Sequence, residues 1–270
     1  MIIEPDISPH ARPATGRLRR TRRRTAVGAG IVLVTLLGSG CEPPGDGDGK
    51  DGASGRGGGA GAVSPFDNER GTGRGLAPVT SSAEQGRARE LIDTLDERGR
   101  GPRTGYARER YGYAWMDTAD GVPLAHNGCD TRNDLLKRDG SRLRFRSGSD
   151  CVVVSMTLHD PYTGKDIDWK KERATEVQID HVVPLSYSWQ MGAARWPESK
   201  RKQLANDPLN LLPVEGRANG AKSDSGPASW LPPDRTIRCA YAVRFAQVAL
   251  KYELPVTGAD KRMMTRQCGG

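Results

Sequence analysis

The aromatic residues crowd into one part of this chain, and that limits where a core can form. Fifteen Phe, Trp and Tyr side chains are present; fourteen lie at or after Tyr106, and only Phe66 precedes it. Glycine is distributed the other way, filling twelve of the thirty-five positions from Cys41 to Gly75. Ordering a chain has to be offset by apolar burial. A core is therefore expected only from residue 80 onward, about 190 residues and enough for one domain. Residues 41–79 read as a disordered, Gly-rich linker. No internal repeat is apparent.

Charge divides along the same lines. Of the net +8, residues 1–40 hold +5, from seven arginines against Glu4 and Asp6. Residues 41–79 are net acidic, and residues 80–270 are mildly basic. That balance excludes a histone-like binder and leaves a mildly basic enzyme. Six arginines between Arg17 and Arg24 precede an apolar stretch from Ala26 to Gly40. The stretch is short of the roughly 20 residues a membrane span needs and suits an export signal over residues 1–40. Thr21-Arg22-Arg23-Arg24 resembles a twin-arginine signal. Leu37-Gly38-Ser39-Gly40-Cys41 resembles a lipobox, with Gly38 where leucine is usual, which makes Cys41 a lipidation candidate. Ordinary signal-peptidase cleavage fits equally, so a freely secreted protein and a membrane-anchored lipoprotein both stand.

Four cysteines remain: Cys129, Cys151, Cys239 and Cys268. An even number in an exported chain reads as disulfides. Three pairings are open; Cys129–Cys151 and Cys239–Cys268 are favoured because each closes a modest loop, of 22 and 29 residues. On the chain-entropy model such loops contribute roughly 3–4 kcal/mol each. A zinc site is disfavoured, because there is no C-x-x-C.

Periodicity predicts a helix over 83–98, with Ala88, Leu91, Ile92 and Leu95 on one face, and an aromatic segment over 106–116 packed on the core. It predicts a short helix over 131–138 capped by Asp130 and a strand over 151–158. A turn follows at Asp160-Pro161-Tyr162-Thr163-Gly164. A second strand is expected over 176–183, a polar helix over 195–205, a short apolar return over 209–214 and a closing helix over 237–252. The class is α+β.

The densest run of chemically capable residues is Ile179-Asp180-His181-Val182-Val183-Pro184-Leu185. Adjacent strand positions face opposite ways, so Asp180 and His181 are expected to do different tasks. Downstream come Asn206-Asp207-Pro208-Leu209-Asn210-Leu211-Leu212 and Asn219-Gly220-Ala221-Lys222-Ser223-Asp224. This ordered set resembles the HNH (ββα-metal) nuclease motif, especially that of RNA-guided CRISPR nucleases. Further segments extend the likeness: Tyr111-Gly112-Tyr113-Ala114-Trp115-Met116-Asp117, the run Cys129 to Leu136, the Asp160–Gly164 turn, and Trp230-Leu231-Pro232-Pro233. Together they resemble exported bacterial HNH proteins similar to the C-terminal nuclease domain of the GmrSD restriction endonucleases. The resemblance spans roughly residues 85–268 and implies a ββα-metal core with surrounding short helices and a small sheet in an HNH-like nuclease domain over 80–270.

Phosphodiester hydrolysis needs an activated water, neutralised phosphoryl oxygens and help for the leaving oxygen. A neutral imidazole can take the water's proton, and a hard cation on oxygen ligands can do the rest. By resemblance, His181 is the general base, Asp180 and Asn219 bind the metal, and Asn210 holds the loop that orients His181. Lys222, on the helical face of Asn219, is expected to touch a phosphate. Arg132, Lys170 and Lys171 are candidate nucleic-acid contacts; a solvated face or a structural brace explains such charges as well. Asparagine in place of the motif's third histidine favours one Mg²⁺ or Mn²⁺ over zinc. Gly220 weakens its helix locally.

These readings converge on an exported bacterial endonuclease, monomeric, that cuts nucleic acid with little sequence preference, DNA ahead of RNA. It would meet the membrane only through a lipid on Cys41. The rivals are a catalytically silent surface binding module on the same fold and a metal-dependent hydrolase of another substrate; no H-E-x-x-H supports a peptidase.

Overall fold

The computed structural model describes residues 61–270. The export segment, Cys41 and the linker up to residue 60 lie outside the described residues.

Helix α1 (Ser82–Asp93) begins where the Ser81 hydroxyl accepts the Glu84 N–H at 3.2 Å, an N-cap. It ends short of the expected Arg98, because the chain turns after Thr94 so that Glu97 can pair with Val256. Its buried face, Ala88 and Ile92, packs on α6 (Arg238–Lys251), the element around which the larger core is built. In α6, Tyr241, Val243, Phe245, Ala246 and Val248 are all fully buried, and so is Arg244; a helix buried on nearly every side has to be central. Helix α7 (Gly258–Gln267) closes over it. The Cys239–Cys268 disulfide ties the start of α6 to the end of α7.

The core takes in chain that composition assigned to the linker. Phe66, Leu76 and Val79 are buried in it, and Gln247 Nε2 donates to the Pro65 carbonyl at 2.8 Å. Gly71 is a close-approach glycine: a Cβ there would lie 2.2 Å from the Leu209 backbone nitrogen, and φ is +70°. The packed unit therefore includes residues 61–79, and the boundary expected at residue 80 is corrected.

A second core lies under a three-stranded antiparallel sheet of β1 (Ser141–Phe145), β2 (Val153–His159) and β3 (Asp166–Lys170), in that order. Helix α2 (Thr131–Asp139) packs on β2, and its Asp130 cap accepts the Asn133 N–H at 2.8 Å. Met156 stands opposite Trp169 across β2 and β3. The outer strands are mostly exposed and carry too few apolar residues to announce themselves. The Cys129–Cys151 disulfide joins the chain before α2 to the chain before β2.

Between the two cores runs an antiparallel ribbon, β4 (Val177–His181) with β5 (Leu211–Glu215), pairing Ile179 with Pro213 and His181 with Leu211. A proline is tolerated because a two-stranded ribbon has only edges. The connection between its strands holds α3 (Leu185–Met191) and α4 (Glu198–Asn206), and α5 (Gly216–Lys222) follows β5 directly. The class is α+β, as expected. Among the described residues no helix is long and apolar enough to cross a membrane.

Candidate functional site

His181 is the last residue of β4, at the point where the ribbon opens into the α3–α4 connection. Neighbouring strand positions face opposite ways, and the contacts follow. Asp180 turns toward α5 and the Asp160–Gly164 turn, where its Oδ1 accepts from Lys222 Nζ at 3.0 Å and its Oδ2 from the Tyr162 hydroxyl at 2.6 Å. His181 turns toward the end of α4, where its Nε2 lies 3.0 Å from the Ala205 carbonyl. A carbonyl only accepts, so Nε2 carries the proton and Nδ1 is left as the basic nitrogen. Burial, reinforced by the Arg108 charge, pushes the imidazole down to about 3, so the ring is neutral near pH 7.

The turn before β5 holds this arrangement from beneath. Asp207 caps it, accepting the Leu209 N–H at 3.0 Å, and the fully buried Asn210 reaches back across the opening of the ribbon. Its backbone carbonyl accepts from Val182 N at 2.8 Å, and its Oδ1 accepts from Val183 N at 2.8 Å. Its Nδ2 donates to the carbonyls of Leu204 and Val183. Asn210 thus fixes the two residues after His181, while the ring itself is oriented by Ala205. Arg138 secures the same turn by donating to the carbonyls of Pro208 and Leu211.

Asp180, His181 and Asn219 border one cleft of about 300 Å³, with Arg103, Tyr106, Arg108, Ser186 and Asp224. Asn210 lies behind it. Three of the expected site residues thereby line one cleft; Lys222, Arg132, Lys170 and Lys171 do not. Lys222 is fully buried, its ammonium held by Asp180 Oδ1 and, at 2.8 Å, by the His181 carbonyl. It faces inward because the last turn of α5 packs on β4, so the phosphate contact expected of it is corrected. Burial raises the Asp180 carboxyl and lowers the Lys222 ammonium, each opposed by the other's charge. Arg132 donates to the Val177 carbonyl at 3.1 Å and lies against Trp169, and does not line the cleft. Lys170 and Lys171 are exposed at the end of β3, also outside the cleft lining.

Residues that the Asp-His, Asn and Asn motif does not mark stand beside the base. Trp115 stacks on His181 with ring centroids 6.1 Å apart and an interplanar angle of 11°. Its φ of +60° is unusual for a bulky residue and holds the indole over the base at a conformational cost. Arg108 stands 5.8 Å from the same indole. The sequence marks this segment by its aromatic content, which reads equally as core, and by the family resemblance of Tyr111 to Asp117, and neither assigns Trp115 a place beside the base.

The implied divalent cation can be tested against the donors present. Among the described residues no three His, Cys, Asp or Glu side chains converge. Asp180 uses two of its roughly four acceptor positions on Lys222 and Tyr162. Asn219 donates its Nδ2 to Gln178 at 2.8 Å, which leaves its Oδ1 available. Two oxygen donors suit a hard cation that retains several waters and are too few for a closed tetrahedral zinc site.

Residues 130–267, just over half of the chain, match the family model described as GmrSD restriction endonucleases, C-terminal domain. The chain belongs to that family, and its function is of the nuclease type. It is also 39% identical over 180 residues to a protein of the fungus Arthroderma benhamiae described as an uncharacterized secreted protein, covering 66% of this chain and 81% of the relative. No solved structure matches the chain.

Proposed function

We propose that this protein is an exported HNH-type endonuclease that hydrolyses phosphodiester bonds of nucleic acid, DNA ahead of RNA, with low sequence specificity. One observation carries the reading: the Ala205 carbonyl fixes the His181 tautomer beside Asp180 and Asn219 in a single cleft. A general base has to be unprotonated with a free lone pair before the step, and the held tautomer leaves that lone pair on Nδ1. His181 Nδ1 takes the proton of the attacking water, and Nε2–H stays on Ala205 throughout. Asn210 keeps the backbone after His181 in place. Asp180 and Asn219 would hold one Mg²⁺ or Mn²⁺, which when bound supplies charge neutralisation at the phosphoryl and leaving oxygens.

The antiparallel ribbon followed directly by α5 supports the ββα arrangement, with Asp180 and His181 on the first strand and Asn219 on the helix. Export is supported by the secreted relative and by two disulfides. A monomer is the working assembly, with contact to a membrane only through a lipid on Cys41.

The test is to incubate the full chain, disulfides formed, with supercoiled plasmid, with and without Mg²⁺ or Mn²⁺, beside His181→Ala. Metal-dependent nicking that disappears in the variant is expected. Plasmid and RNA both left intact under each metal by a folded protein would sink the reading in favour of a silent binding module.

A further inference from the structure

The charges around the cleft do not cancel. Asp180 is neutralised from below by Lys222 at 3.0 Å. Asp224 is met by Arg103, 3.5 Å from its Oδ2, and also accepts from the Ser186 hydroxyl at 3.1 Å. That leaves Arg108. It is exposed, it lines the cleft beside His181, and among the described residues no carboxylate or hydrogen-bond acceptor meets its guanidinium. Its guanidinium stands 5.8 Å from the centre of the Trp115 ring.

Its position is nonetheless built. Arg108 opens the short 3-10 turn Arg108–Tyr111, and Tyr111 anchors that turn in the core. The Tyr111 hydroxyl donates to the Leu185 carbonyl at 2.9 Å and lies 2.8 Å from Ser188 Oγ. From the other side, Arg201 Nε donates to the Arg110 carbonyl at 2.8 Å. A guanidinium is planar, permanently charged and shaped to grip two oxygens of a phosphate at once. An uncompensated one held on a fixed turn at a cleft that also holds a base calls for an anionic ligand.

We infer that Arg108 is a further catalytic residue, binding the non-bridging oxygens of the scissile phosphodiester during attack by water. The inference rests on the nuclease reading above and takes over the phosphate-binding role that the motif suggested for Lys222. Arg108 moves no proton; it offers N–H donors to the phosphoryl oxygens, on which negative charge concentrates as the new P–O bond forms and the old one breaks. Because it makes no bond to the protein, its removal should leave folding untouched.

The test compares wild type, His181→Ala, Arg108→Met and Arg108→Lys, full-length, on the same plasmid with Mg²⁺ and with Mn²⁺, and records kcat, KM and Tm for each. Arg108→Met is expected to lower kcat about 100-fold, the scale of losing one donor to developing charge, at an unchanged Tm. Arg108→Lys should restore less than about a tenth of the rate, since an ammonium cannot grip two oxygens in a fixed plane. A wild type that cuts, with His181→Ala dead and Arg108→Met at the wild-type rate, overturns this inference alone. So does an Arg108→Met that loses Tm along with activity and is fully rescued by lysine, because that marks a structural role. An inert wild type overturns the nuclease reading, and this inference with it.

Discussion

Lys222 Nζ sits 3.0 Å from Asp180 Oδ1, with both side chains almost wholly removed from solvent. A buried pair of this kind contributes little over an apolar substitute, but removing one partner strands the other charge. Lys222→Ala is therefore expected to destabilise the protein by about 3–5 kcal/mol and to abolish activity through Asp180. Chemical denaturation measures the first effect. An unchanged unfolding midpoint would return Lys222 to the surface role that its spacing suggests.

Asn210→Asp keeps the shape and the acceptor toward Val183 N but loses the amide donors to Leu204 and Val183. The new carboxylate oxygen would face carbonyls in a fully buried position. A loss of roughly 1–3 kcal/mol or more is expected for the unmet groups, with activity falling at least as far as with Asn210→Ala. Thermal melts and plasmid nicking, run side by side, check both.

Burial raises the Asp134 carboxyl to about 6, opposed by the hydrogen bond from Asn127. A carboxyl whose folded pKa exceeds its unfolded value favours the fold when protonated. Its contribution is complete below the unfolded pKa near 4 and is lost as pH rises through about 6. The Tm of wild type minus that of Asp134→Asn should therefore fall as pH rises from 4 to 7. A flat difference would remove Asp134 from the pH dependence.

Deleting residues 61–79 strips Phe66, Leu76 and Val79 from the α6 core. At roughly 1.5–3 kcal/mol for each fully buried side chain, the loss is comparable to the whole stability of a typical domain. A chain beginning at residue 80 is expected to be unfolded or aggregated by circular dichroism. One beginning at residue 61 should fold.

The residues that sequence reading located best are those whose chemistry and spacing are both unusual. Asp180, His181 and Asn219 border one cleft with Asn210 buried behind it, and the local cysteine pairings are the ones the structure contains. What stayed hidden depended on direction rather than identity. Lys222 lies on the helical face expected, yet whether that face meets solvent or β4 is decided by packing. Glycine content between Cys41 and Gly75 reads as slack, whereas Gly71 is glycine because Leu209 leaves no room for a side chain. Strands β1 and β3 carry too few buried residues for periodicity to reveal. Arg108 reaches the cleft, and Trp115 the His181 ring, from more than sixty positions before His181 in the chain, and no local pattern records such a meeting.

The group that orients His181 belongs to the main chain. Every amino acid placed at position 205 brings the same oxygen, so that half of the base's machinery cannot be deleted by exchanging a side chain. Mutational scanning would pass over position 205 as tolerant of small residues, and a search for an acidic partner to the histidine would return nothing. Only a shift of the end of α4 can disturb it. Losing the base's orientation therefore requires a change in backbone path, a much rarer event than a change of letter.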